Sequence, residues 1–555
     1  MALIEEVIRK HALKNAVDFG KANAGSVVGK VIGEFPDAKK DMKTTMAKIN
    51  EAINNINNLS REAIESELKN YSFTEKPKDE KKGLTLPNAE QGKVVTRFPP
   101  EPSGYPHIGH AKAVFIDYES AIQYGGKMIL RFDDTNPEKE KQEYVDAIKE
   151  GLVWLGIMWE KETYTSDNME RIYSSAEKLI SKGKAYVCTC KQEEISKSRA
   201  EMKSCACREL PIEKIFERWE LMLAGKYKVG RAILRFKGDP ASLNTVMRDP
   251  TLARLINITH YRQGKKYVVW PGYDLAVTVM DMIEGVTHPM RTKEYELRDE
   301  LYDELCKVLE FKKPNLIDFS RLQIKNAPIS KRLLTPLVKD KKVLGWDDPR
   351  LPTLAGLKRR GILPQAIKNF VLSFGLSKVE SEPGWEALLV ENRKLLDPVS
   401  PHYFFVPDQV KLPVTIKGET EYKIKGITRK TNLKGKIYLS RSDVEKFAIG
   451  EIIAIKDLAF AKFDGKKLEK VEQVEIPEKK VQWVNPDDCI SCEIIIPKDL
   501  FNGEVFNPQS LELRKGYCES ACASLNVGDV VQFERFGFCR LDKKTERKLT
   551  FIFTC

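Results

Sequence analysis

Pro99-Pro100-Glu101-Pro102-Ser103-Gly104-Tyr105-Pro106-His107-Ile108-Gly109-His110 is the stretch that decides how this chain folds. It follows a short β-rich run, Val94-Val95-Thr96-Arg97-Phe98, and leads into Ala111-Lys112-Ala113-Val114-Phe115-Ile116-Asp117-Tyr118, whose apolar residues have helical spacing. A strand, a turn and a helix N-terminus are implied. At such a junction free backbone N–H groups and the helix dipole favour an anion, so a nucleotide phosphate can be held there. Gly109, lacking a Cβ, lets a ring or a phosphate lie against the backbone. His107 and His110 can donate hydrogen bonds to phosphate oxygens whose charge grows during displacement. A His pair three apart equally suits a helix cap or a metal. The distant Ile329-Ser330-Lys331-Arg332 segment weighs toward phosphate, because the two words together point to adenylate chemistry.

Composition agrees with a soluble multidomain enzyme. A chain of 555 residues with 31% charged and 42% hydrophobic residues has ample core for roughly four domains. Its net charge of +12 suits a polyanionic partner such as RNA. No apolar run reaches the length of a membrane span, and the start, Met1 to Lys10, carries acids early and lacks a signal-peptide core, which predicts a cytoplasmic protein.

Several longer words extend the pattern: Arg97-Phe98-Pro99-Pro100-Glu101-Pro102, Arg131-Phe132-Asp133-Asp134-Thr135-Asn136-Pro137, Phe319-Ser320-Arg321-Leu322 and Gly345-Trp346-Asp347-Asp348-Pro349-Arg350. On these words the chain resembles the class I aminoacyl-tRNA synthetases, and within them the glutamyl/glutaminyl group, over roughly residues 93 to 555. One departure is visible. The family's Lys-Met-Ser-Lys-Ser loop stands here as Pro328-Ile329-Ser330-Lys331-Arg332, with Ile329 where Met is common.

The resemblance implies a Rossmann-like α/β catalytic domain over residues 93–318, interrupted at 184–268 by an acceptor-stem-binding insertion. A helical connector carrying the Ser-Lys-Arg loop follows at 319–397, then a tandem antiparallel β-barrel anticodon-binding region at 398–555. The apolar spacing of Leu3, Ile4, Val7, Ile8, Val27, Val28, Val31 and Ile32 predicts a small helical N-terminal domain at 1–72. A Lys-, Glu- and Pro-rich stretch makes 73–92 a linker. That N-terminal domain and the Phe533 to Asp542 word resemble the archaeal glutamyl type.

The implied reaction joins glutamate to tRNA(Glu) with ATP and Mg²⁺. A substrate carboxylate attacks the α-phosphate in line and needs no base, so the site needs positioning and charge stabilisation. By resemblance the ATP-binding and catalytic residues are Glu101, Pro102, Ser103, His107, Ile108, Gly109, His110, Lys112, Thr292, Arg321, Leu322, Ile329, Ser330 and Lys331. Asp133 is expected to receive the substrate ammonium and Tyr273 to line the pocket. Arg291 falls where glutamyl members carry Arg and glutaminyl members a small residue such as Cys, so Arg97 and Arg291 are expected to clamp the γ-carboxylate. The chief alternative is the glutaminyl activity; the other is a silent tRNA-binding scaffold. Many archaeal members also charge tRNA(Gln), so the resemblance leaves open whether the choice here is confined to tRNA(Glu) or extends to tRNA(Gln).

Eleven cysteines without a secretory signal suggest reduced thiols. Cys188, Cys190, Cys205 and Cys207 form two C-x-C pairs that suit a structural Zn²⁺ clip. Cys489, Cys492, Cys518 and Cys522 are expected to be free thiols. The Leu357-Lys358-Arg359-Arg360 run is open to phosphate contact or to a solvated helix face. Tyr403 to Phe405 and Phe533 to Phe538 are open to base stacking, with core packing favoured.

Overall fold

The computed structural model describes residues 2–71, 84–472 and 477–555. The chain divides into two compact units, Met1–Gly83 and Leu84–Cys555. The smaller contains four α-helices: α1 (Ala2–Phe19), α2 (Ala24–Glu34), α3 (Met42–Asn57) and α4 (Arg61–Leu68). Asn23, Asp41 and Ser60 cap α2, α3 and α4 by accepting hydrogen bonds from the backbone N–H of Gly25, Thr44 and Ala63. Ile8, Ala12, Val27, Val31, Ile49 and Ile53, spaced four apart within each helix, belong to the core.

The expected 73–92 linker is shorter than its composition suggests. Residues 73–83 lie outside the described residues, but 84–92 are built into the larger unit. Leu86 is buried with Val94, Ile116, Met290 and Phe319, and the Pro87 carbonyl accepts a hydrogen bond from His288 Nε2 at 2.9 Å. One well-placed leucine overrides the polar composition around it.

The larger unit opens with the anticipated strand, turn and helix: β1 (Val95–Phe98) and α5 (Ile108–Gln123). Parallel strands β2 (Lys127–Phe132) and β3 (Lys161–Tyr164) follow, with Arg97 in register with Ile129 and Ile129 with Lys161. Two further parallel strands, Met290–Thr292 and Ile317–Phe319, pair with each other and join β1 through Thr287, whose N–H donates to the Val95 carbonyl at 2.9 Å. Ile108, Ala111, Val114 and Phe115 of α5 bury one face of the sheet against Phe98, Leu130 and Phe132. The Pro99–His110, Arg131–Pro137 and Phe319–Leu322 words leave carboxyl ends of these strands, where open α/β sheets bind ligands.

Within residues 184–268 the chain builds antiparallel strands Ala185–Cys188, Ile233–Phe236 and Thr251–Leu255, completed by Val269–Pro271. Helices Lys331–Lys339, Leu354–Arg360, Pro364–Leu372 and Trp385–Leu396 form the connector. Arg359 and Arg360 there are not a phosphate-facing run. Arg359 donates to both Asp542 oxygens at 2.9 and 2.8 Å and so bolts the helix to the C-terminal sheet, whereas Arg360 is buried over the Trp385 ring within the connector.

Two curled sheets follow. In the six-stranded one the hairpin Gln409–Ile424/Ile427–Ser440 lies at one border, and Tyr438 bridges to Val484 beside the opposite border strand Lys480–Val481. The seven-stranded sheet begins and ends in one run. His402–Tyr403 pairs with Val530–Phe533, and Phe405–Pro407 pairs with Leu511–Glu519, so residues 402–407 supply both borders and close the sheet. Side chains alternate across that run: Phe404 enters the six-stranded core, Tyr403 and Phe405 the other. These aromatics, with Phe533 and Phe538, are buried and unavailable for stacking on bases; Phe536 is half-buried. Cys492, Cys518 and Cys522 pack as free thiols in the same core. Among the described residues no helix is long and apolar enough to cross a membrane.

Candidate active site

The two distant phosphate words meet. Lys331, the first residue of helix Lys331–Lys339, donates to the Ser103 carbonyl, lies 3.3 Å from the Tyr144 hydroxyl, and sits 4.6 Å over the Tyr144 ring. Between them is a cavity of about 140 Å³ whose walls include Glu101, Ser103, His107, His110, Ile329 and Lys331. Trp346 closes one side, stacked on Tyr105 at 4.9 Å. Its loop is held rigid by Arg350, which donates to Asp348 at 2.9 and 2.7 Å, and is docked on the His107 turn through the N–H of Ile108 to the Pro352 carbonyl at 2.9 Å. Tyr105, Tyr144 and Trp346 were not singled out in the sequence. Trp346 lay within a recognisable word, whereas Tyr144 carried no local signal.

The His pair caps the helix, and this does not exhaust its capacity. His107 Nδ1 accepts from the Gly109 N–H at 3.1 Å, and His110 Nδ1 accepts from the His107 N–H at 3.2 Å. Each ring therefore carries its proton on Nε2, free to donate. Burial pushes both rings toward the neutral form, His110 to about 4 and His107, with His110 beside it, well below the usual value. Gly109 has a nearer reason than a phosphate for lacking a side chain: a Cβ there would meet the His107 ring at 3.0 Å and the Leu322 carbonyl at 3.5 Å.

Not every anticipated residue reaches the cavity. Lys112 is buried, donates to the Ser320 carbonyl and hydroxyl at 2.6 and 2.9 Å, and is pushed down to about 8; it ties α5 to the Phe319–Leu322 word. Arg321 is exposed and ion-paired with Glu294 at 2.8 Å. Ile108, Pro102 and Leu322 are buried supports, Thr292 ends its strand beside Glu294, and Ser330 precedes Lys331 at the helix N-terminus.

Arg97, Asp133, Tyr273 and Arg291 belong to one charged network beside the cavity. The expected free two-arginine clamp is not what the side chains form. Arg97 is fully buried, donating to Asp281 at 3.2 Å and to the Met290 carbonyl at 2.6 Å. Arg291 donates to Asp299 and lies 3.5 Å from Asp318. Tyr273 lies beside both arginines, which partly offset the burial that pushes it to about 12. Arg131 is the hub that sequence reasoning left without a role: it donates to Asp133 at 2.9 Å, Asp281 at 2.8 Å and Glu284 at 2.9 Å. A guanidinium this deep is tolerable only because carboxylates surround it. The partner of Arg291 is different, since the Asp299 side chain is 35% exposed and can yield to a soluble carboxylate.

The four insertion cysteines converge. All four sulfurs lie within 4.8 Å of one another, with Cys188 to Cys205 at 3.7 Å and Cys190 to Cys207 at 3.9 Å. Zn–S bonds of about 2.3 Å in a tetrahedron require sulfur separations of about 3.8 Å, so the thiols fit the ion. Arg218 donates to Cys207 at 3.3 Å and Arg235 lies 3.9 Å from Cys205, which suits the double negative charge of four thiolates on Zn²⁺.

A parallel sheet with a histidine-capped phosphate turn at one strand end and a Ser-Lys loop folded over it defines a class I aminoacyl-tRNA synthetase. The chain belongs to the class I tRNA synthetases (E and Q): residues 93–398 match the catalytic domain of that family and residues 480–542 its anticodon-binding domain. It is 44% identical to a glutamate–tRNA ligase of Nitrosopumilus maritimus, covering 99% of each chain. It is 40% identical to one of Cenarchaeum symbiosum over 97% of each, and 38% identical to one of Thermococcus kodakarensis over 100% of each.

Proposed function

We propose that this chain is a glutamate–tRNA ligase, activating L-glutamate with ATP and transferring it to the 3′-terminal adenosine of tRNA(Glu). The observation that carries the reading is the placement of Lys331 over the Ser103–His110 turn. The phosphates of ATP lie along the turn, within reach of the Nε2 protons of His107 and His110. Lys331 offsets the charge that develops on pyrophosphate. Asp133 takes the glutamate ammonium, and Arg291 exchanges Asp299 for the γ-carboxylate. Mg²⁺ arrives with ATP, held mainly by phosphate oxygens and water, and Glu101 is the carboxylate placed to share it. The ion neutralises phosphate charge.

Charging of purified tRNA(Glu) with labelled glutamate, and separately with labelled glutamine, tests this. Glutamate alone should be attached; attachment of glutamine would mean that Arg291 does not select the substrate. The same assay on tRNA(Gln) tests a relaxed tRNA choice, and glutamate attached to that tRNA is the expected outcome.

The insertion cysteines hold a structural Zn²⁺, which joins the two ends of the Lys191–Arg208 loop beside the hydrogen bonds that Arg199 and Arg208 make to the Gly238 and Asp249 region. Metal analysis of purified protein should find about one zinc per chain, falling to about zero in Cys190→Ser with Cys207→Ser. Retention of full zinc by that double variant would place the metal elsewhere.

A further inference from the structure

The turn His260–Gly264 lies inside the inserted lobe, yet its side chains reach back to the strand end that carries Asp133. The turn is closed in both directions, His260 N–H to the Gly264 carbonyl at 2.9 Å and Gly264 N–H to the His260 carbonyl at 3.0 Å. His260 Nδ1 accepts from the backbone N–H groups of Arg262 and Gln263, both at 3.1 Å, which leaves the ring proton on Nε2. Nε2 donates to the Asp134 carbonyl at 3.2 Å, with Glu140 Oε2 3.5 Å away and otherwise unpartnered. The ring is buried and stacked on Trp270 at 4.8 Å.

Its neighbours act on the same few atoms. Tyr261 donates to Asp134 Oδ2 at 3.1 Å, which also accepts from the Ser166 hydroxyl at 2.7 Å, while Oδ1 accepts from the Ser166 N–H at 2.8 Å. Arg262 and Gln263 both donate to Asp167, at 2.7 and 2.6 Å. The segment they hold includes Thr165, whose hydroxyl donates to Asp133 Oδ1 at 2.8 Å. The turn thus grips Asp134, the residue that follows Asp133, and the segment that donates to the Asp133 carboxylate. None of these groups touches the cavity.

We infer that His260 and its turn are positioning elements for Asp133, through which the inserted lobe sets the geometry of the amino-acid site. The inference rests on the reading that Asp133 receives the substrate ammonium. A misplacement of the order of 1 Å at a charged contact is enough to lose most of its value, about 10²-fold in rate.

Asparagine and glutamine separate the two ring nitrogens, since an Asn side-chain oxygen falls near Nδ1 and a Gln side-chain nitrogen near Nε2. Pyrophosphate exchange in the presence of tRNA, with KM measured separately for glutamate and ATP, is the test. His260→Asn should keep the turn but raise the glutamate KM on the order of 10- to 100-fold with the ATP KM unchanged, while His260→Gln stays closer to wild type. Tyr261→Phe, which leaves no cavity, should shift the glutamate KM in the same direction and serves if His260→Asn fails to fold. Asp133→Asn is the reference. An unchanged glutamate KM in that variant overturns the ammonium assignment and this inference with it. A defect in Asp133→Asn without one in His260→Asn or Tyr261→Phe overturns the inference alone, as does an equal rise in both KM values.

Discussion

Lys331→Ala lowers the rate of glutamyl-adenylate formation by roughly 10²–10³-fold, the loss that follows removal of one pre-aimed donor from a developing charge. The side chain is oriented by the protein itself, pinned between the Ser103 carbonyl and the face of Tyr144. Partial burial and the neighbouring Lys141 hold its pKa below the ordinary value. Pre-organisation of this kind avoids reorganisation at the moment of reaction. Pyrophosphate exchange reads the step directly, and the glutamate KM should stay near wild type because Lys331 is outside the Asp133 network. A loss smaller than tenfold would remove Lys331 from the phosphate site.

Arg291→Cys raises the glutamate KM by about 10²–10³-fold, corresponding to about 3–4 kcal/mol, within the range for a buried charge that loses its partner. The network makes this asymmetric. In the wild type, glutamine would displace Asp299 without replacing its charge, leaving Arg291 underpaired; in the variant that penalty disappears and discrimination against glutamine falls. Asp318, itself buried, then loses one of its cations and keeps Lys378 at 3.2 Å, so a modest loss of thermal stability accompanies the kinetic defect. Competition between labelled glutamate and glutamine for one tRNA preparation measures the ratio. An unchanged ratio would assign selectivity to another group.

What could be read in advance followed from local signals. The strand, turn and helix around His107 declare themselves through composition and spacing, and the Ser330–Lys331 loop through its own short word. The helical N-terminal unit follows from the period of its valines and isoleucines. What could not be read were partners chosen by the folded chain. Arg97 was expected to face the substrate but closes on Asp281, and Lys112 closes on Ser320, each across some two hundred residues of sequence. No periodicity encodes such a pairing, because it depends on which helix packs over which strand end. Residues 84–92 escaped for the opposite reason: their composition is that of a linker, and a single buried leucine decides otherwise. His260 was invisible because an isolated histidine in a loop has no neighbours in sequence that announce its role.

The run His402–Pro407 sets an order on assembly. Both borders of the seven-stranded sheet lie in these six residues, but their mates are Leu511–Glu519 and Val530–Phe533. A growing chain that has reached residue 500 has already emitted a segment with two hydrogen-bonding faces and nothing to put on either. Loop closure over more than a hundred residues must precede any reward from pairing, which makes this the slow end of the molecule. The catalytic half, whose β1, α5 and β2 are near neighbours in sequence, can be in place long before. During synthesis, therefore, the part that performs the chemistry matures first, and the part that closes last is the one whose unpaired strand edges a nascent chain must keep from other chains.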